Sequence, residues 1–184
     1  MVKDCTILGI DPGTNILGFG VIRVSGGKPH YEDMGVVDLR KEKTHYSKLR
    51  IIHETIDQVC ESYHPDVMAI ESPFYGRNAQ VIFKLGRAQG AAIIAAAGRD
   101  MEIFEYAPRA AKEAITGNGA ASKEQVSMML RQTLGVDLDE RFLDATDALA
   151  LAMCHFYKVT SPLSGVSGGG SWEKFVRENP GRIK

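Results

Sequence analysis

Short apolar runs separated by turn residues dominate the first forty residues of the chain. The runs at 6–10, 18–24 and 31–39 have the length and composition of strands. Turn-forming residues rich in Asp, Pro and Gly fill 11–14 and 26–29 between them. Because these connections are short enough for antiparallel pairing, the pattern predicts a three-stranded meander at the start of the fold.

From residue 47 onward, helical periodicity alternates with single apolar runs. Apolar positions recur at helical spacing over 47–63 and again over 78–97. A strand-like run follows each of these helices, at 66–70 and at 101–106. The sequence therefore predicts an α/β fold with a mixed five-stranded sheet, in which three antiparallel strands are followed by parallel strands and helices flank the sheet.

The last third of the chain is helical and then changes character. Ser122 and Gln125 have the spacing of a capping box, and Gly135 is placed to end the helix that they begin. A second helical stretch covers 145–157. After it the chain becomes rich in Gly and Ser, a composition that cannot bury enough apolar surface to fold. We therefore expect one globular domain over residues 1–159 and a flexible tail over 160–184.

The composition says more about the cellular compartment of the protein than about its activity. The 184 residues carry a formal net charge of -1, so any nucleic-acid surface must be local. Cys5, Cys60 and Cys154 are odd in number and lack metal-ligand spacing, which favours a reducing, cytoplasmic setting. No apolar stretch approaches the roughly 20 residues that a membrane span needs. We expect no membrane association.

Four acidic residues lie where predicted buried elements begin or end. Asp11 and Glu71 each follow an apolar strand, and Asp144 and Asp147 open the helical stretch 145–157. A carboxylate at such a place is costly to desolvate unless it is neutralised, and no basic residue adjoins any of the four in sequence. A divalent cation such as Mg²⁺ is the obvious partner.

These four carboxylates form one site if the strands that end at Asp11 and Glu71 are neighbours. Asp144 and Asp147 are three residues apart and share a helix face. Four converging negative charges would raise one another's pKa unless hard cations lay between them. Two such ions about 3.5–4 Å apart are suited to an in-line phosphoryl displacement.

Each acidic residue also has an ordinary structural interpretation. Asp11 precedes Pro12-Gly13 and suits a turn, where Asp is common. Asp144 and Asp147 suit the first turn of a helix, where acidic side chains meet free backbone N–H groups. Glu71 has no comparable turn or capping preference, so a functional role is favoured there.

Several segments, spread in order over about 150 residues, carry a family resemblance. They are 7–13, 18–22, 69–71 with Phe74, 78–79, 84–90 and 144–150. In these segments the chain resembles the RuvC family of bacterial Holliday-junction resolvases, and Asp11, Glu71, Asp144 and Asp147 match the family's catalytic and metal-binding acids. The resemblance implies a ribonuclease H-like fold and a homodimer that nicks two opposed strands of a four-way DNA junction symmetrically, leaving 5'-phosphate and 3'-hydroxyl ends in recombination and repair. It also implies Mg²⁺ dependence with two ions per subunit, for which Mn²⁺ substitutes, and cooperation with RuvA and RuvB.

The resemblance extends to DNA contacts. Phe74 matches a position that stacks on bases near the crossover, with a loop anchor as its alternative role. Lys112 and Lys123 match basic residues near the active site, with solvated surface as the alternative. Residues 74–131 contain eight Lys or Arg and five acidic residues. This modest excess of positive charge suits contacts with the DNA backbone. The expected DNA-binding residues are Phe74, Tyr75, Arg77, Asn78, Lys84, Arg87, Arg109, Lys112 and Lys123.

Small residues on the predicted helix 78–97 indicate a close helix contact. Gly86 and Gly90 are four apart, and the contact is either a dimer interface or packing within the chain. Arg77 stands where many relatives have Lys, which changes the geometry of a phosphate contact.

Three other classes of protein are alternatives to a junction nuclease. Residues 10–14 are similar to the first phosphate loop of actin-like and sugar-kinase ATPases, but 184 residues leave no room for the second nucleotide-binding lobe. A ribonuclease H-like nuclease acting on RNA, such as the YqgF-type relatives, remains an alternative. A non-catalytic junction-binding module is the other.

Overall fold

The chain folds into a mixed five-stranded sheet with helices on both faces. The computed structural model describes residues 3–72, 78–138 and 143–161. The predicted contacts Phe74, Tyr75 and Arg77, and the predicted tail beyond residue 161, lie outside the described residues. The elements are β1 Cys5–Asp11, β2 Ile16–Ser25, β3 Lys28–Asp38, α1 His45–Tyr63, β4 Val67–Glu71, α2 Ala79–Ala97, β5 Glu102–Tyr106, α3 Pro108–Thr116, α4 Lys123–Leu134 and α5 Leu143–Thr160.

The strand order β3-β2-β1-β4-β5 brings the first and fourth strands together. The meander β1-β2-β3 is antiparallel, whereas β4 pairs parallel with β1 and β5 pairs parallel with β4. Ile10 is registered with Ile70, so β1 and β4 end side by side. The predicted mixed sheet is confirmed, and it contains the adjacency on which the grouping of Asp11 and Glu71 depends.

Alternation along β1 divides the core into two layers. Leu8 packs with α1 and α2 on one face of the sheet, through residues such as Ile52 and Ala92. Ile7 packs with α3, α4 and α5 on the other face. Because side chains alternate between faces, Asp11 shares the face of Ile7. Its carboxylate therefore belongs to the α5 side of the sheet.

Glycines let α5 approach the sheet closely. A Cβ added at Gly9 on β1 or at Gly18 on β2 would collide with the backbone carbonyl of Ala148 or Asp144, respectively. One added at Gly20 would lie 2.7 Å from the Cα of Leu149. Real Cβ atoms do not tolerate such contacts, so the three glycines set how near the start of α5 lies to β1 and β2.

The structure corrects the sequence interpretation in a few places. The nine-residue α3 was not predicted, since its Pro108 and short length hide a helical period. Helix α5 is longer than the predicted 145–157 and ends at Thr160, so its last residue lies within the stretch assigned to the tail. Cys60 and Cys154 are buried free thiols. Within the described part of the chain, no helix is long and apolar enough to span a membrane.

Candidate active site

The site lies at the end of the sheet where the C-termini of the neighbouring strands β1 and β4 lie side by side. Asp11 is the last residue of β1 and Glu71 is the last residue of β4. The first turns of α5 carry Asp144 and Asp147 to the same end. Asp11, Asp144 and Asp147 each offer one carboxylate oxygen, and these atoms lie within 4.8 Å of one another. Three of the four predicted acids therefore share one small volume.

Glu71 lies beside this group rather than within it. Glu71 and Asp147 line a cavity of about 240 Å³ that also exposes Lys112 and Lys123. The negative charge of Glu71 raises the pKa of Asp11, which shows that the two carboxylates interact. Three carboxylate oxygens lie within 4.8 Å of one another, and a fourth carboxylate, that of Glu71, lies on the wall of the adjoining cavity.

Lys123 supplies a positive charge that the sequence places 21 residues away from Asp144. Its Nζ lies 3.1 Å from Oδ1 of Asp144 and 2.5 Å from Oδ2 of Asp147. Lys123 is the first residue of α4, and the capping box of Ser122 and Gln125 fixes the start of that helix. The cap therefore positions the ammonium group over the acid pair.

Burial and mutual repulsion raise the proton affinity of the site. Burial, followed by the charges of Glu71 and Asp147, raises the pKa of Asp11 to about 7. Burial and Asp147 also raise the pKa of Glu71, although Lys123 and Lys112 oppose that change. For Lys123, burial would lower the pKa, but its contacts with Asp147 and Asp144 hold it above its usual value. The site attracts either protons or cations.

The donor set fits a hard divalent cation. All three atoms of the close group are carboxylate oxygens, the ligands that Mg²⁺, Mn²⁺ and Ca²⁺ prefer. A cation there would also relieve the repulsion that raises the pKa of Asp11. Because the Lys123 ammonium contacts two of these aspartates, it is already in the position of a competing cation.

Besides Lys123, the predicted DNA-binding residues that the structure describes lie at several places in the fold. Lys112 belongs to the cavity beside Glu71, and its Nζ donates to the carbonyl of Ala121 at 3.0 Å. Lys84 and Arg87 lie on α2 near His45, on the opposite side of the sheet. Asn78 caps α2 by accepting from the backbone N–H of Gln80 at 3.0 Å, and the side chain of Arg109 lies against Gly119.

Two supporting side chains escaped the sequence interpretation. Gln89 is buried on α2, and its Nε2 donates to the carbonyl of Glu71 and to Oε2 of Glu105, each at 3.2 Å. Lys48 on α1 donates to the carbonyl of Thr14 at 2.8 Å and so holds the turn after Asp11. A polar residue on an otherwise alanine-lined helix face was the available signal for Gln89.

This topology, with a long final helix packed over the first two strands, is that of the ribonuclease H-like α/β proteins. Acidic residues at the ends of β1 and β4 and at the start of α5 place the chain among the nucleases of that class.

Comparison with known proteins gives the family. The family model described as crossover junction endodeoxyribonuclease RuvC matches residues 7–155. The chain belongs to the RuvC family. Proteins named crossover junction endodeoxyribonuclease RuvC from Bacteroides fragilis and Porphyromonas gingivalis are 53% and 47% identical to it, the alignments covering 100% and 99% of this chain and 98% of each relative.

Solved structures agree with this family. Thermus thermophilus RuvC in complex with Holliday junction substrate has a TM-score of 0.78 and 31% sequence identity, over 85% of this chain and 95% of that one. The yeast mitochondrial Holliday junction resolvase Ydc2 has a TM-score of 0.64 at 12% identity, over 94% of this chain and 83% of that one. The second likeness concerns the fold alone.

Proposed function

We propose that this protein resolves four-way DNA junctions by Mg²⁺-dependent, symmetric nicking of two opposed strands, leaving 5'-phosphate and 3'-hydroxyl ends. The convergence of Asp11, Asp144 and Asp147 beside Glu71 carries the proposal, because it creates a hard-cation site at an exposed edge of the sheet. Family membership supports the junction as substrate, since the Thermus relative is described with a Holliday junction bound.

In this proposal the four carboxylates hold Mg²⁺. When bound, Mg²⁺ supplies Lewis-acid activation of the phosphate and lowers the pKa of water. Asp11, Asp144 and Asp147 would hold the ion through carboxylate oxygens that lie within 4.8 Å of one another, and Glu71 would add a carboxylate from the cavity wall. Mn²⁺ offers the same preference for oxygen ligands. Two ions per subunit are proposed, because an in-line displacement gains from charge at both the attacking and the leaving oxygen.

The lysines contribute charge that the metal ligands cannot. Lys123 contacts Asp144 and Asp147, so it must yield these oxygens to an incoming cation. Its ammonium then remains within the site, where it can hold an oxygen of the scissile phosphate. Lys112 faces the same cavity from α3 and provides a second cationic contact. Both roles are electrostatic and need no proton transfer.

Symmetric nicking requires two active sites, and we assign the dimer interface to α2. Phe83 and Ile94 are 70% and 60% exposed on one face of this helix. Gly86 and Gly90 lie between them, and a Cβ added at either would meet no described atom within 4 Å. The described chain therefore leaves this apolar face uncovered, which favours contact with a second subunit over packing within the chain.

A cytoplasmic setting and cooperation with RuvA and RuvB complete the proposal. Both rest on membership of the RuvC family. The free buried thiols of Cys60 and Cys154 are compatible with a reducing compartment.

The experiment is a cleavage assay of Glu71→Gln on a synthetic four-way DNA junction, with linear duplex and RNA as other substrates, with and without Mg²⁺. We expect the unmodified protein to make paired nicks in the junction only and only with Mg²⁺. Loss of a metal-binding charge should slow Glu71→Gln by about a hundredfold or more. Glu61→Gln, an exposed change on α1 with the same chemistry, serves as the control and should cut normally.

The other candidate functions predict different outcomes. Preferential cutting of RNA would identify an RNA nuclease, and binding of the junction without any cutting would identify a non-catalytic module. Cleavage by Glu71→Gln at the normal rate would contradict the assignment of Glu71 to the metal site.

A further inference from the structure

A second polar cavity, of about 380 Å³, lies between the starts of α1 and α2. Its walls carry the side chains of Lys43, Lys48 and Lys84, and one carboxylate, that of Glu42. Among the described residues, no ion pair joins Lys43 or Lys84 to an acidic group. Three positive charges against one negative charge make this cavity a place where an anion is favoured.

His45 lines the same cavity, at the start of α1. Burial, with the charges of Arg87, Lys84 and Lys48, lowers the pKa of this ring. An anion in the cavity would offset the repulsion between these positive charges and the protonated ring. The ring therefore reports on the charge held in the cavity.

The cavity opens near the same end of the sheet as the carboxylates. β3 runs parallel to β1 and ends at Asp38, which pairs with Ile16 just after the turn from Asp11. Helix α1 therefore begins at the same end. Thr14 lines the cavity and is three residues beyond Asp11, so their Cα atoms are at most about 11 Å apart. A DNA strand carries a phosphate every 3.4 Å or so along the helix axis, so a few nucleotides span this gap.

We propose that the cavity formed by Lys43, His45, Lys48 and Lys84 binds a backbone phosphate of a junction arm while the carboxylate site acts on another phosphate. This inference rests on the proposed function for the identity of its ligand. The cavity lies on the α1–α2 side of the sheet, whereas the carboxylates face α5, so the two sites contact the DNA on either side of one edge. The contact reads no base and holds the arm by its backbone.

The first test follows the His45 ring by NMR while pH is varied, with and without inorganic phosphate, using His45→Gln to assign its signal. An anion stabilises the protonated ring, so phosphate should move the titration midpoint of His45 to higher pH. The signal of His30, which lies on β3 opposite Arg23 and away from the cavity, serves as the control. No movement at His45 would overturn the site.

The second test compares free phosphate with DNA as the source of the anion. Junction binding is measured against salt concentration in the non-cleaving Glu71→Gln background. The logarithm of the affinity falls linearly with the logarithm of the salt concentration, and each lost phosphate contact makes this slope less steep by about 0.9. Lys43→Gln and Lys84→Gln should each make the slope less steep, whereas Lys28→Gln, at the first residue of β3 and the opposite end of the sheet, should not.

Removal of the negative charge provides a test of opposite sign. Glu42→Gln should tighten junction binding, because the carboxylate repels a phosphate in the cavity. Unchanged slopes for both lysine variants would show that the cavity binds only free phosphate and would overturn the DNA assignment. Failure here leaves junction cleavage by the unmodified protein intact, whereas failure of the proposed function would remove that cleavage itself.

Discussion

At the scale of single residues, the ammonium group of Lys123 lies against two of the proposed metal ligands. Lys123 satisfies Asp144 and Asp147 at 3.1 and 2.5 Å, which lets two acidic side chains share a helix face without a bound cation. Among the residues that the structure describes, no ion pair joins Asp11 to a basic side chain, and its pKa is raised to about 7. The repulsion is therefore concentrated on Asp11.

The raised pKa of Asp11 predicts how the free energy of unfolding depends on pH in metal-free protein. Native Asp11 keeps its proton to about pH 7, whereas the unfolded residue loses it near 3.8. Between these pH values the native state binds more protons, so the free energy of unfolding falls as pH rises. Asp11→Asn cannot ionise, so its advantage over the unmodified protein should grow from pH 4 to pH 7, up to about 4 kcal/mol.

Chemical denaturation in the presence of a chelator, at pH 4 and pH 7, measures this difference. Added Mg²⁺ should then stabilise the unmodified protein and not Asp11→Asn. Asp100→Asn, an exposed change of the same kind, is the control. If Asp11→Asn and the unmodified protein lost stability equally between the two pH values, Asp11 would not carry the repulsion.

At the scale of elements, the site depends on how closely α5 lies against β1 and β2. Gly18 contacts the backbone of Asp144 itself, so the small residue on the strand sets the position of the acidic residue on the helix. The parallel pairing of β1 with β4 then fixes Glu71 relative to Asp11. Two backbone contacts, rather than side-chain contacts, determine the spacing of the carboxylates.

Gly18→Ala should therefore impair the site from a position that has no functional group. The added methyl group forces α5 outward, at a cost of roughly 1–3 kcal/mol in stability. A displacement of about 1 Å at the reacting groups should reduce cleavage roughly a hundredfold. Denaturation and junction cleavage measure the two effects. Gly98→Ala, where the nearest atom is 3.4 Å from the added Cβ, should have little effect, and normal cleavage by Gly18→Ala would contradict this view.

The sequence predicts those elements whose signal is local. Apolar patterning and helix-start signals predict all five strands and four of the five helices that the structure describes, and the capping box at Ser122 is present as predicted. Pairing of β1 with β4 is non-local, so the pattern alone leaves it open. The contact of Lys123 with Asp144 depends on how α4 packs against α5, and no spacing in the sequence encodes it. The sequence therefore predicts where the acidic residues lie, but it does not predict that Lys123 neutralises two of them.

At the scale of the whole molecule, the proposed nicking of two opposed strands agrees with an apolar face of α2 that the described residues leave uncovered. The exposed side chains of Phe83 and Ile94 flank two glycines that would admit a second helix. A soluble monomer gains nothing from such a face, whereas a junction with two equivalent strands is matched by a two-fold dimer.

Phe83→Glu should separate the subunits. A charge buried in an apolar interface is costly, so light scattering should give half the mass found for the unmodified protein. The monomer should bind metal normally but make single, uncoordinated nicks in a junction. Met128→Glu on α4, where the side chain is 55% exposed, is the matched control and should remain dimeric. A Phe83→Glu dimer that still made paired nicks would place the interface elsewhere.

The most direct measurement of the central claim is anomalous diffraction from crystals soaked in Mn²⁺. A cation held by the acidic edge should give a peak within bonding distance of Asp11, Asp144 and Asp147, with Lys123 displaced from both aspartates of α5. Glu71→Gln crystals should show a weaker peak. An Mn²⁺ peak elsewhere on the protein, with Lys123 still contacting Asp144 and Asp147, would contradict the assignment of these carboxylates as a metal site.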